Sequence, residues 1–180
     1  MLYDRKGEIV VCTSLLDKCL VILNTDMRVV KGMALDPTRD HLFFSRSHQS
    51  TPLIEVSKLD GTERTVLVDY KIVHPEGLCV DYSVGHLYWV DSYLGVITRI
   101  GYDGKNRKTV TRYLGEKHLQ RIVVFESLIY VTSGKEHSSI LKIDRLSSNS
   151  NVVFNNTKGI TSLVVFHRQR QPDGKYSNYI

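Results

Sequence analysis

With 180 residues, 42% of them hydrophobic, the chain is long enough to bury a core and too apolar to be disordered. The formal charge of +5 is scattered, and its densest group, Lys105, Arg107 and Lys108, follows a turn without an interleaved aromatic platform, so a nucleic-acid footprint is not indicated. No run of about 18 apolar residues occurs, so no membrane span is expected, and the opening MLYDRKGEIVVC lacks the apolar stretch of a signal peptide.

Taken in chain order, the predicted elements repeat. LYDRKGEIVVCTSLLDKCLVIL, from Leu2, reads as three strands, the later three of a four-stranded unit, and its Asp17 precedes Asp60 by 43 residues. VKGMALDPTRDHLFFSRS (Val30 to Ser47) and SKLDGTERTVL (from Ser57) supply the first full unit. PEGLCVDYSVGHLYWVD (Pro75 to Asp91) and IGYDGKNRKTV (from Ile100) supply the second, with Gly77 and Asp81 answering Gly32 and Asp36 at an offset of 45. QRIVVFESLIYVTSGKEHSSILKIDRL, Gln120 to Leu146, is a third copy, and GITSLVVFHRQRQP, from Gly159, starts a fourth.

Within each copy, short runs of Val, Ile, Leu, Tyr and Phe alternate with turn residues, which is a strand signature. In the clearest copy the strands are Leu78 to Val80, Leu87 to Val90, Val96 to Ile100 and Lys108 to Val110. Asp60-Gly61 and Asp103-Gly104 suit tight turns, because Asp and Gly tolerate positive φ. Four short strands per roughly 43 residues is the pattern of a propeller blade. The fold expected is an all-β propeller of four-stranded antiparallel blades, occupying residues 1–172. Its blades fall roughly at 1–27, 28–70, 71–114 and 115–158, with a closing strand at 159–168 and a tail at 173–180. The count of three strands, three sets of four and one more fits a closed four-bladed ring or an open arc of a larger one.

The stretch GLCVDYSVGHLYWVDSYLGVITRIGYDGKNRKTV, Gly77 to Val110, closely resembles the class B or YWTD repeat of low-density lipoprotein receptors and their related proteins. KGMALDP from Lys31 and RIVVFESLIYVTS, with its Val-Val-Phe-Glu run from Val123, resemble successive late repeats. VVFHRQRQP, Val164 to Pro172, resembles the segment that leads into an EGF-like module. The resemblance implies a six-bladed propeller on the extracellular face of a membrane receptor, followed by EGF-like modules, with a protein or peptide ligand for endocytosis or for a co-receptor role of the Wnt kind. Six repeats at roughly 43 residues need about 260, so a chain of about four resembles the C-terminal part of such a propeller. The signature itself varies: Phe43-Phe44-Ser45-Arg46, then Tyr88-Trp89-Val90-Asp91, then Tyr130-Val131-Thr132-Ser133. The resemblance gives its fourth-position carboxylate, here Asp91 alone, the task of tying backbone groups between neighbouring blades.

Phe43, Phe44, Leu87, Tyr88, Trp89 and Tyr130 are therefore expected to pack between blades, since alternate strand positions face the next sheet. Function is then expected on loops. The turns entering the first strand and leaving the second of each blade share one rim, which makes Lys31, Arg46, His48, Glu76, Tyr93, Gln120 and Lys135 the ligand-binding candidates. His74, His86 and His118, at strand edges or loops, are candidates for an acid-sensitive response. Asn155-Asn156-Thr157 is a glycosylation sequon relevant to a secreted chain. No catalytic residue, metal ligand or cofactor is expected: the three cysteines have no metal spacing, and Asp36, Asp60, Asp81 and Asp103 recur in strand-end or turn positions where a catalytic acid would be unique. Cys79, in GLCVD, reads as a buried small hydrophobe. Cys12 and Cys19 pair only if geometry allows. The rival readings are a metal-dependent propeller hydrolase of the lactonase kind, with carboxylates converging on the channel, and a truncated product whose unpaired faces aggregate.

Overall fold

Alternating apolar positions and frequent turns leave no helix among the described residues of the protein's computed structural model, which are 2–5, 8–12, 19–24, 29–47, 51–112, 118–134, 138–157 and 160–165. Strands β1 (Leu2–Arg5), β2 (Glu8–Cys12) and β3 (Cys19–Asn24) form a three-stranded antiparallel sheet. Three four-stranded antiparallel sheets follow, each in sequential order. The second sheet holds β4 (Val29–Asp36), β5 (His41–Ser47), β6 (Leu53–Ser57) and β7 (Thr65–Val68). The third holds β8 (Pro75–Asp81), β9 (His86–Asp91), β10 (Val96–Gly101) and β11 (Lys108–Arg112). The fourth holds β12 (Leu119–Phe125), β13 (Leu128–Ser133), β14 (Ser138–Asp144) and β15 (Ser150–Thr157). The turns expected at the Asp-Gly pairs form twice with the same hydrogen bonds, Gly61 N to Lys58 O and Gly104 N to Gly101 O at 3.0 Å, and both glycines have positive φ (84° and 77°). Of the expected closing strand at 159–168, residues 160–165 carry no strand ladder and the rest lie outside the described residues, among which the first sheet has three strands.

The two faces of each middle sheet are buried against different neighbours. Along β5, Leu42 and Phe44 join Ile9 of β2, whereas Phe43 joins Leu87, Trp89 and Ile100 of the third sheet. Along β9 the division repeats, with Tyr88 and Val90 joining Ile122, Val124, Ile129 and Val131 of the fourth. Period-two alternation thus gives each strand two cores. Tyr130 alternates with Ile129 and Val131, so it stands on the far face of the fourth sheet and is only half-buried.

Close approach of the first strands sets the spacing. Strands β4, β8 and β12 run alongside one another. A Cβ at Gly32 would overlap the carbonyl oxygen of Glu76, and one at Gly77 would overlap that of Gln120. The third position of the signature supports the same strands: the Ser45 hydroxyl accepts from Gly32 N at 2.9 Å and the Thr132 hydroxyl from Arg121 N at 3.0 Å, each beside a register shift.

At the opposite end, recurring carboxylates join successive sheets. Asp36 accepts from Arg39 of its own turn at 2.9 Å and from the hydroxyl of Tyr102, in the next sheet, at 3.0 Å. Asp81 accepts from Ser83 Oγ and from Arg145 Nη1, again in the next sheet, both at 2.6 Å. Tyr102 and Arg145 lie 43 residues apart and follow the third strand of their respective sheets. Burial alone would raise both carboxyls; the hydrogen bonds from Thr38, Arg39 and Tyr102, and from Ser83 and Arg145, outweigh it and hold them below 3.8. His86 sits beside this clasp. Arg99 Nη1 donates to its Nε2 at 2.8 Å, and because guanidinium can only donate, the ring proton belongs on Nδ1, a buried nitrogen without a partner. Burial, and next the Arg99 charge, lower its pKa below 6.5.

Three outcomes follow from these contacts. Trp89→Ala removes a fully buried ring between the second and third sheets and should cost about 3–5 kcal/mol in denaturant unfolding. Gly77→Ala should cost about 1–3 kcal/mol by forcing β8 and β12 apart, although it deletes no contact. His86, Asp36 and Asp81 each bind fewer protons folded than unfolded, so stability should fall in two stages as acid is added. The first begins near pH 6.5 as the unfolded His86 protonates, and the second begins near pH 3.8 and runs down through the lowered carboxyl values. Denaturant midpoints against pH should show the first stage flattened, and the second retained, in His86→Gln.

Candidate functional site

The end of the sheets remote from the Asp36 and Asp81 clasps is the expected rim. Because Gly32 meets Glu76 and Gly77 meets Gln120, the first strands bring the backbones of Lys31, Glu76 and Gln120 into one row across three sheets. Lys31 is exposed, while Glu76 and Gln120 are half-buried. Lys31 also lines a cavity of about 480 Å³, together with Gly77, Arg121, Ser162 and Leu163. Arg121, at the position equivalent to Gly32 and Gly77, donates from Nε to Thr161 O at 3.1 Å.

Beside this row, Asp91 fixes the β9–β10 turn. Its buried carboxylate accepts four amides: Val73 at 2.7 Å and His74 at 3.2 Å in the connector from the second sheet, and Tyr93 at 3.2 Å and Leu94 at 3.0 Å in the turn. Ser92 N donates to His74 O at 2.9 Å, and its hydroxyl donates to Glu76 Oε1 at 3.0 Å. The turn is therefore held on both sides while Tyr93 and Leu94 remain 64% and 45% exposed. The His74 ring lies 5.8 Å from that of Tyr93.

Arg46 departs from the rim expectation. It is 5% exposed and ion-paired with buried Glu55, whose other oxygen accepts from Arg64 Nε at 2.9 Å. A cation at the signature's fourth position cannot accept backbone amides as Asp91 does, so it turns inward to a carboxylate. Its desolvation is tolerable only because it is paired. His48 and Lys135 lie outside the described residues. Asn155 is exposed on β15, and its Oδ1 accepts from Ser139 Oγ at 2.8 Å. The three histidines separate: His74 is exposed, His118 has a positive φ of 92°, and His86 sits at the opposite end.

A second feature is absent from the sequence expectations. The Arg107 guanidinium lies 4.8 Å from the Tyr70 ring and 5.1 Å from the Trp89 ring, and donates to Tyr70 O at 2.6 Å and Lys71 O at 2.8 Å. Arg64, 43 residues earlier, lies 5.5 Å from Phe44, the counterpart of Trp89. The repeated Arg at this offset was a readable signal for a cation over the signature aromatic. Here it anchors the connector between sheets beside a groove of about 460 Å³ lined by Lys71, Leu94 and Arg112. Among the described residues, no group of three or more His, Cys, Asp or Glu is placed to hold a metal, and no helix is long and apolar enough to cross a membrane.

No family model matches the chain. Protein cueball of Drosophila simulans is 32% identical over 124 residues, 66% of this chain and 19% of that protein. Low-density lipoprotein receptor-related protein 5 of Mus musculus is 34% identical over 90 residues, 50% of this chain and 6% of that protein. The chain thus spans less than a fifth of the length of these curated relatives. Among solved structures, the nidogen/laminin complex superposes with a TM-score of 0.77 at 20% identity, covering 88% of this chain and 62% of its counterpart. TolB from Acinetobacter baumannii superposes with a TM-score of 0.66 at 14% identity, over 82% and 38%. Four-stranded sheets stacked face to face, with these relatives, make the chain a β-propeller fragment that resembles the propellers of the low-density lipoprotein receptor class B (YWTD) type.

Proposed function

We propose that the chain is a non-enzymatic ligand-binding module of a lipoprotein-receptor-related receptor, with its propeller over residues 1–172 and its rim turned to a protein or peptide on the extracellular side. The observation that carries this reading is the turn at Tyr93 and Leu94: two large side chains stand exposed on a backbone that one buried carboxylate clamps through four amides. An aromatic anchor on a preorganised loop costs little entropy on binding and is the kind of group that dominates interface energies. Lys31, Glu76 and Gln120 beside it supply the polar surround. The relatives support a receptor role, since one is named as a lipoprotein receptor-related protein, and the nidogen propeller was crystallised as a complex with laminin. On the same reading the parent protein carries EGF-like modules and serves endocytosis or Wnt-type co-reception.

Panning a random peptide library against the chain tests the site. Recovered peptides should bind the wild type and lose about 30-fold or more in affinity to Tyr93→Ala, with a smaller loss for Lys31→Glu. Peptides that bind both variants as tightly as the wild type would place recognition elsewhere. Divalent-metal-dependent turnover of a lactone or phosphoester panel would establish the hydrolase reading instead.

A further inference from the structure

The three cysteines divide sharply in their placement. Cys79 is 7% exposed in the core between the third and fourth sheets, where its Sγ accepts from Val124 N at 3.3 Å and donates to Val80 O at 3.6 Å. It is a small apolar residue with a settled role. Cys12 ends β2 and Cys19 begins β3, and the antiparallel register sets them directly opposite each other. The ladder is unbroken on that side: Val10 faces Val21, Val11 faces Leu20 and Cys12 faces Cys19, the one register shift lying farther along at Ile9/Val10.

We infer that Cys12 and Cys19 form a disulfide that staples the β2–β3 hairpin. Directly opposed residues of an antiparallel pair have Cα atoms about 4.5 or 5.5 Å apart, according to whether the pair is non-hydrogen-bonded or hydrogen-bonded. Both values fall within the 4.4–6.8 Å, approximately, that a disulfide spans. A shift of one residue in either strand would break this opposition, so the pairing depends on the register and not on mere nearness in sequence. The odd cysteine count is resolved, because Cys79 belongs to a different pair of sheets.

The chemistry is a thiol–disulfide exchange. The thiolate of one cysteine attacks a disulfide such as oxidised glutathione, releasing one glutathione thiol and leaving a mixed disulfide. The second cysteine's thiolate then attacks the protein sulfur of that mixed disulfide and releases the second glutathione thiol. Two protein thiols are oxidised and one external disulfide is reduced. Persistence of the bond in the cell rests on the extracellular placement proposed above, where the surroundings are oxidising. The staple has a structural task. The first sheet has three strands where its neighbours have four, and a covalent tie between β2 and β3 holds its central strand to its last one.

The chain, folded in a reduced/oxidised glutathione mixture, is alkylated under native conditions and mapped by mass spectrometry without prior reduction. Cys12 and Cys19 should appear in linked peptides, two hydrogens lighter than the separate thiols, while Cys79 is alkylated only after denaturation. Alkylation of both Cys12 and Cys19 in the folded protein, or linkage of either to Cys79, would overturn the assignment. Cys12→Ser with Cys19→Ser should retain the strand spectrum but exchange the β2 and β3 amides at least about ten-fold faster; unchanged exchange would remove the stapling role. Linkage in glutathione-folded protein, with free thiols in protein taken from its cells, would leave the pairing standing and contradict the extracellular reading.

Discussion

Apolar contact between neighbouring sheets is the constraint from which the rest of this molecule follows. A four-stranded sheet of about 40 residues has no core of its own, and in the second and third sheets both faces are spent on neighbours: Phe44 on one side and Phe43 on the other, then Trp89 and Tyr88 in the next unit. That arrangement explains why large aromatics recur at the centre of the second strand, and why a residue like Tyr130, with no described sheet beyond it, is less enclosed. Repetition here is a requirement of burial, not a record of repeated chemistry.

Carboxylates at the two ends of the sheets fix how the units meet. At one end Asp36 and Asp81 each reach a donor in the following sheet, and at the other Asp91 holds the incoming connector and the outgoing turn together. Between the ends, Gly32 and Gly77 let first strands touch main chain to main chain. Asp91 fixes the backbone of the β9–β10 turn. Tyr93 and Leu94 stand on that turn, so their exposed side chains can vary without disturbing the packing beneath them.

Strand order, blade period and the buried role of Phe43, Phe44, Tyr88 and Trp89 were legible in the sequence because they depend on local alternation and on a spacing that recurs. The recurring acids at Asp36 and Asp81 were legible as structural for the same reason. What could not be read was chemistry that depends on a single copy. Arg46 sits where Asp91 sits in the next unit, and only the presence of Glu55 on the adjacent strand β6 turns it from a rim cation into a buried ion pair. The Arg107 contact with Tyr70 and Trp89 needs the connector's path, although the spacing of Arg64 and Arg107 hinted at it. Likewise the placement of Cys12 against Cys19 required the register, which a one-residue slip would have destroyed.

The most direct measurement of sheet stacking as the source of stability is circular dichroism with thermal unfolding of residues 70–112 alone, the third sheet with its leading connector, beside the whole chain. If stability resides between sheets, the isolated segment shows no cooperative transition and little strand signal while the whole chain unfolds cooperatively. A cooperative transition in the isolated segment, at a temperature close to that of the whole chain, would contradict it.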